Sequence, residues 1–307
     1  MSDASAGADI PVICGPTAAG KSAVAMWLAE RRPSTLISAD SRQIYRGFDI
    51  GTAKPSAAEQ ASVPHRGVDV VNPTERYSAA AWASAANEWI VEALRERRAP
   101  LVVGGTGLYL RALFEGLFEE PPLDAEARAA LASVTESFSV DELRRWVDVL
   151  DPARARLGRT QLLRAIEIAL LTGHRVSELH RERARSTVWR PHYLLVDPGA
   201  ALAGRIAARI DDMLDHGWPD EVRRLMQTIP ADAPAWNATG YDVVRSYVRG
   251  ELTRDVARDA ILIQTRQYAK RQRTWFRNQL PADRVTRLDP LAADWQRTAE
   301  RWLETVA

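Results

Sequence analysis

Short apolar runs alternate with amphipathic stretches through the first third of the chain. Ile10-Pro11-Val12-Ile13-Cys14, Thr35-Leu36-Ile37-Ser38 and Leu101-Val102-Val103 read as buried strands, and Val68-Asp69-Val70-Val71 as a further one. Between them, residues 21–31 carry Val24 and Leu28 among alanines on one side. Residues 79–97 set Trp82, Ala86, Trp89, Ile90 and Leu94 at helical spacing. Continuous apolar strands separated by helices predict a parallel sheet covered on both faces.

The pattern changes after Leu117. Glu119-Glu120-Pro121-Pro122 interrupts it, and residues 124 to about 185 show helical periodicity, many arginines and no strand signal. His192-Tyr193-Leu194-Leu195-Val196-Asp197 then restores a strand. Leu202, Ile206, Ile210, Met213 and Leu214 form one apolar helix face, stopped at Gly217, and Pro219 suits the start of the next helix. A long helix is expected from about 254 to 277. The expected organisation is an α/β, P-loop NTPase-like core (1–117 and 189–307) with C-terminal helices, and a helical insertion domain (118–188).

Composition adds bounds rather than a function. The 307 residues are 46% hydrophobic and 26% charged, as in ordinary soluble domains, and no apolar run approaches the ~20 residues of a membrane span. Residues 1–9 lack a signal-like core, and the single cysteine, Cys14, permits no intrachain disulfide. A cytoplasmic, monomeric protein is expected. The net charge of +1 means any nucleic-acid footprint must be local.

The chemistry begins at Gly15-Pro16-Thr17-Ala18-Ala19-Gly20-Lys21-Ser22, which fits G-x-x-x-x-G-K-[ST] between a strand and a helix. Its glycines let successive backbone N–H groups turn inward toward phosphate oxygens. Lys21 adds a point charge, and the Ser22 hydroxyl suits magnesium. The loop says that phosphates are bound, not which molecule carries them. Asp40 follows the second strand, at the edge where such sheets bind ligands. It suits a general base or a magnesium ligand, and equally an N-cap. Gly104-Gly105-Thr106-Gly107 lies at the end of another strand on the same edge.

Taken together, the loop at 15–22, the segment from Ile37-Ser38-Ala39-Asp40-Ser41-Arg42-Gln43 to Gly47, Asp49-Ile50-Gly51-Thr52-Ala53-Lys54-Pro55, Val102-Val103-Gly104-Gly105-Thr106-Gly107-Leu108-Tyr109 and Tyr268-Ala269-Lys270-Arg271-Gln272-Arg273-Thr274-Trp275-Phe276-Arg277 resemble the bacterial tRNA dimethylallyltransferases. The resemblance implies transfer of a dimethylallyl group from dimethylallyl diphosphate to N6 of a tRNA adenine beside the anticodon, with Mg2+ as companion ion. It implies Asp40 as base, Thr17 and Lys21 at the diphosphate with the rest of the loop, and Arg209 as a further clamp. For tRNA it implies Asp40, Ser41, Arg42, Gln43, Thr106, Arg128, Arg164, Lys270 and Arg273.

Arg266, Lys270, Arg273 and Arg277 share one helix face with no acid in the stretch, as a phosphate-contacting surface would. The chain departs from the family at Pro64-His65-Arg66-Gly67, where Pro-His-His-Leu is usual, and at Gly158-Arg159-Thr160, where Pro-Asn-Asp is usual. Both departures bear on the expected grip on tRNA. A P-loop small-molecule kinase, an adenylate isopentenyltransferase and a phosphate-sensing RNA-binding switch are the alternatives.

Overall fold

The computed structural model describes residues 8–116, 123–182 and 188–306. Contacts divide the chain into two units, Met1–Phe114 with Thr187–Ala307, and Glu115–Ser186.

The first unit opens with β1 (Ala8–Cys14), α1 (Lys21–Ala29), β2 (Ser34–Ala39), α2 (Ala57–Ser62), β3 (His65–Arg66), α3 (Ala79–Arg95), β4 (Ala99–Gly104) and α4 (Gly107–Phe114). The second unit holds α5 (Ala125–Thr135), α6 (Val140–Leu150), α7 (Arg159–Thr172) and α8 (Val176–Glu182). The first unit then resumes with β5 (Trp189–Val196), α9 (Leu202–Asp215), α10 (Trp218–Thr228), α11 (Tyr241–Val248), α12 (Arg254–Gln279), β6 (Val285–Leu288) and α13 (Trp295–Glu304).

Six strands form one sheet in the order β3-β2-β4-β1-β5-β6, and every pairing is parallel. The apolar runs of β1 and β2 are buried because helices cover both faces: Val12, Ile13, Leu36 and Ile37 are all inside. Consecutive parallel strands must cross over, so the carboxyl ends of β1, β2, β4 and β5 meet at one edge. The segments after these strands therefore converge there. No helix among the described residues is long and apolar enough to cross a membrane.

Two strand expectations change. Residues 68–71 do not form a strand. Asp69 takes a left-handed backbone (φ 54°) that breaks the extended run, and only Val71 bridges, to Tyr45. The strand beside β2 is instead the two-residue β3. At the opposite edge, β6 pairs with β5, although Val285-Thr286-Arg287-Leu288 is too short and too polar to signal a strand.

The second unit has its own core of Leu143, Val147, Leu162, Ala165, Ile166, Ile168, Val176 and Leu179. A capping box joins Ser139 and Glu142 at the start of α6. The Arg159 guanidinium donates to the carbonyls of Thr135, Glu136 and Phe138. It thereby adds a donor to the last turn of α5 and to the turn that follows it, where carbonyls run out of helical N–H partners. The departure at Gly158-Arg159-Thr160 thus has a role inside the fold. So does the other: Arg66 makes a two-pronged ion pair with Glu92 of α3, both bonds at 3.0 Å.

Candidate active site

The loop between β1 and α1 sits where backbone meets backbone closely. Gly15 has φ 147°, and a Cβ there would lie 2.1 Å from the Val196 carbonyl oxygen, so only glycine fits between β1 and β5. Ala18 and Gly20 also take left-handed conformations and curl the chain back on itself. Lys21 Nζ donates to the Pro16 carbonyl at 2.8 Å. Its side chain keeps some access to the cavity, yet burial pulls its pKa down to about 8. Asp40 opposes that shift, whereas Arg209 adds to it.

A cavity of about 480 Å³ opens on this loop, lined by Thr17, Lys21, Ser22, Asp40, Arg205 and Arg209 among others. Arg209, on α9, reaches it from the second half of the unit. Burial lowers its pKa and the Asp40 carboxylate partly restores it. Arg205, one turn earlier, donates to the Ala18 carbonyl at 3.0 Å and so braces the loop itself. Two arginines on α9 therefore serve one loop.

Asp40 Oδ1 accepts from the Arg42 backbone N–H at 2.8 Å, leaving Oδ2 without a hydrogen bond among the described residues. The capping and the chemical readings of this residue are thus compatible, one oxygen for each. Ser41 N–H donates to Thr106 Oγ1 at 3.1 Å, which joins the turn after β2 to the turn after β4. Gln43 is spent inside the protein: its amide accepts from Ser38 Oγ at 2.9 Å and donates to the Ala53 carbonyl at 2.9 Å.

Two site residues lacked an assigned role in the sequence. Gln272 of α12 is buried; its Oε1 accepts from Thr17 N–H at 2.8 Å and its Nε2 donates to the Gly105 carbonyl at 2.9 Å. Tyr268, one turn earlier, lines the same cavity. Burial, with help from Asp40, raises its phenol to about 12, so it stays protonated. The available signal was the four-residue spacing of Tyr268 and Gln272, which places them together on α12.

The basic residues divide. Lys270, Arg266 and Arg277 are exposed on α12. Arg273 is not free: it clasps both oxygens of Asp197, at 2.9 and 2.5 Å, and the Gly199 carbonyl. In the second unit, Arg128 and Arg164 converge on one carboxylate, that of Glu167, at 3.2 and 2.6 Å.

The chain is similar to known proteins along most of its length. The model of the IPP transferase family matches residues 43–279. A tRNA dimethylallyltransferase of Chromohalobacter salexigens is 42% identical over 275 residues, covering 87% of this chain and 88% of that protein. A crystal structure of a tRNA isopentenylpyrophosphate transferase from Staphylococcus epidermidis superposes with a TM-score of 0.69 at 28% identity, covering 97% and 98% of the two chains. A eukaryotic dimethylallyltransferase crystallised acting on tRNA gives 0.79 at 25% identity, covering 96% and 77%.

Proposed function

The chain belongs to the IPP transferase family, and from that premise we propose that it transfers a dimethylallyl group from dimethylallyl diphosphate to N6 of the tRNA adenine beside the anticodon's third base, giving N6-isopentenyladenosine. The observation that carries this reading is the shared cavity. Two cations, Lys21 and Arg209, face the same space as a carboxylate, Asp40, with one free oxygen. A departing anion and an amine losing a proton need that combination.

In the reaction, the adenine N6 forms a bond to the allylic C1 as the C1–O bond breaks, and the electron pair leaves with the diphosphate. Lys21, Arg209 and the loop amides stabilise the charge that develops on that group. Thr17 stands at its bridging region. Asp40 Oδ2 accepts the proton released from N6.

Magnesium fits this site. Ser22 Oγ is a hard oxygen donor open to the cavity, and the described residues contain no cluster of three or more His, Cys, Asp or Glu able to cage a metal. Phosphate and water oxygens would complete its shell. When bound, the ion neutralises charge on the leaving group.

For tRNA, the exposed cations of α12 offer a phosphate-contacting stripe. Arg128 and Arg164, oriented by Glu167, offer a second contact in the insertion. The adenine would be flipped out of its stack to reach Asp40.

The test is incubation with labelled dimethylallyl diphosphate and unmodified tRNA, followed by nucleoside analysis. Label on adenosine N6 is expected. Absence of label together with phosphate transfer from ATP would overturn the reading in favour of a kinase, and modification of free AMP in preference to an anticodon stem-loop would overturn the tRNA substrate.

A further inference from the structure

The turn that carries Thr106 runs straight into the first turn of α4, and this stretch is anchored along its length. Thr106 N–H donates to the carbonyl of Ala39, the residue before Asp40, at 3.1 Å. Gly107 lies against the Trp275 indole of α12, where a Cβ would come within 2.3 Å of the ring. Tyr109 is buried and stacks on Trp82 with ring centroids 4.7 Å apart, and the Trp82 indole N–H donates to the Ser38 carbonyl at 3.0 Å. Arg111, one turn on, donates to Gln279 of α12 at 2.9 Å.

Among these anchors stands Leu108. It is 54% exposed, whereas Tyr109, Leu110, Ala112, Leu113 and Phe114 of the same helix are buried. Folding gains little from an apolar side chain left in water. The glycines and Tyr109 of this segment have packing duties, and Leu108 has none. Its surroundings belong to the acceptor side of the site. Thr106 is joined to Ser41 N–H at 3.1 Å, and Asp40 is the next residue back. The helix that Gly107 and Arg111 both meet, α12, carries the exposed cations Lys270, Arg271 and Arg277. A leucine on unyielding backbone is therefore offered to solvent, bonded to the Asp40 segment on one hand and packed on the cationic helix on the other.

We propose that Leu108 is a wedge, which enters the base stack of the anticodon loop and fills the gap left when the target adenine swings out toward Asp40. The inference rests on the tRNA prenyl-transfer reading above, and it names a residue that acts on the RNA stack rather than on the transferred group. An adenine stacked in its loop cannot bring N6 to a carboxylate inside a cavity, so it has to leave the stack. The gap behind it would close again unless something apolar holds it open. Proteins that open base steps do so with Leu, Ile, Met, Phe or Pro. Leucine suits the role because it sheds water between two base faces and offers no hydrogen bond that would select a base. Its mounting matters as much. With Gly107 and Tyr109 packed, α4 does not yield, so the bases give way instead. The cations of α12 hold backbone phosphates while the stack opens.

The experiment gives the full-length enzyme an anticodon stem-loop with 2-aminopurine in place of the target adenine, without donor. The fluorescence of this base rises when it leaves the stack, and wild type is expected to produce that rise. Leu108→Ala should lose most of it at saturating RNA. Its single-turnover prenylation of the adenine stem-loop should fall about tenfold or more, because unstacking goes unassisted. Leu108→Met should restore both. A second stem-loop with abasic sites on both sides of the adenine has no stack to open, and wild type and Leu108→Ala should prenylate it at equal rates. Melting temperature and inhibition by inorganic diphosphate should match wild type, since the side chain lies outside the core.

An unchanged fluorescence rise and rate in Leu108→Ala would overturn the proposal. So would equal losses on the stacked and the abasic stem-loops, which would make Leu108 a general contact rather than a wedge. If wild type prenylates neither stem-loop, the prenyl-transfer reading itself falls and takes this proposal with it.

Discussion

Gln272 Oε1 accepts a hydrogen bond from the backbone N–H of Thr17 at 2.8 Å, joining residues 255 positions apart. The same amide donates to the Gly105 carbonyl, so one side chain of α12 ties the phosphate loop to the turn after β4. Gly105 has to be glycine for this: a Cβ there would lie 2.2 Å from Gln272 Nε2. The helix that carries the exposed cations is therefore bonded directly to the loop expected to hold the leaving group.

Gln272→Ala should lower stability by about 1–3 kcal/mol, because it strands a buried donor and a buried acceptor. It should also raise KM for dimethylallyl diphosphate, since the Thr17 amide loses the bond that sets its direction. Denaturant melts and donor kinetics check both. A destabilised variant with unaltered KM would show that the bond serves the fold alone.

Asp40→Asn keeps an Oδ1 for the Arg42 N–H, and so preserves the turn while removing the proposed base. The expected result is a fall in kcat of about 10²–10⁴, the usual contribution of a positioned general base. Affinities for donor and tRNA should stay near wild type. Asp40→Ala removes both roles and should lower the melting temperature as well. Single-turnover rates with binding measurements separate the two variants.

Lys21, with its pKa held down to about 8, predicts a pH dependence. On the proposed function the ammonium form is the one that holds the diphosphate, so donor affinity without tRNA should weaken above about pH 8, until the pKa of the bound form, raised by the anion, is reached. Lys21→Met should bind more weakly at pH 7 and lack that inflection. Stability has its own sign. The folded pKa lies below the unfolded one, so between about 8 and the ordinary lysine value the unfolded chain binds more protons and stability rises with pH. Lys21→Met should therefore melt above wild type at pH 7, and the gap should narrow as pH rises. Calorimetry across that range decides it.

The α12 cations should separate by their partners. Lys270→Ala and Arg277→Ala, both at exposed positions, should weaken tRNA binding and reduce the salt slope of log K by about 0.7–1 each, with little change in melting temperature. Arg273→Ala leaves Asp197 without its paired cation and should instead lower the melting temperature. Filter binding at several salt concentrations, set beside thermal melts, tests the division.

Much of this molecule was legible in order. The strand–loop–helix at 8–29, the parallel alternation and the helical character expected from 124 to about 185 follow from local periodicity and glycine placement; α5 to α8 meet the last as far as 182, and 183–185 lie outside the described residues. Errors fell where the signal was weak. Residues 68–71 look like a strand, but Asp69 adopts a left-handed turn whose side chain pairs with Lys54 at 2.6 Å. β6 is half polar because it is an edge strand held by β5 rather than by its own burial. The charge pattern of α12 showed four cations on one face. It could not show that Asp197, directly after β5, occupies one of them.

By itself the sequence determined the glycine-rich strand–loop–helix at 8–29, the alternation that builds a parallel sheet, and the family. These need only neighbouring residues: a run of backbone N–H groups, a periodicity, a motif in its own segment. The tertiary structure decided what each side chain does once distant segments meet. It gave Gln272 to Thr17, Arg273 to Asp197, and Arg128 and Arg164 to Glu167. The reason is that hydrogen bonds, ion pairs and cavities depend on ångström-scale distances between elements far apart in the chain, whereas periodicity records only which face of an element is buried.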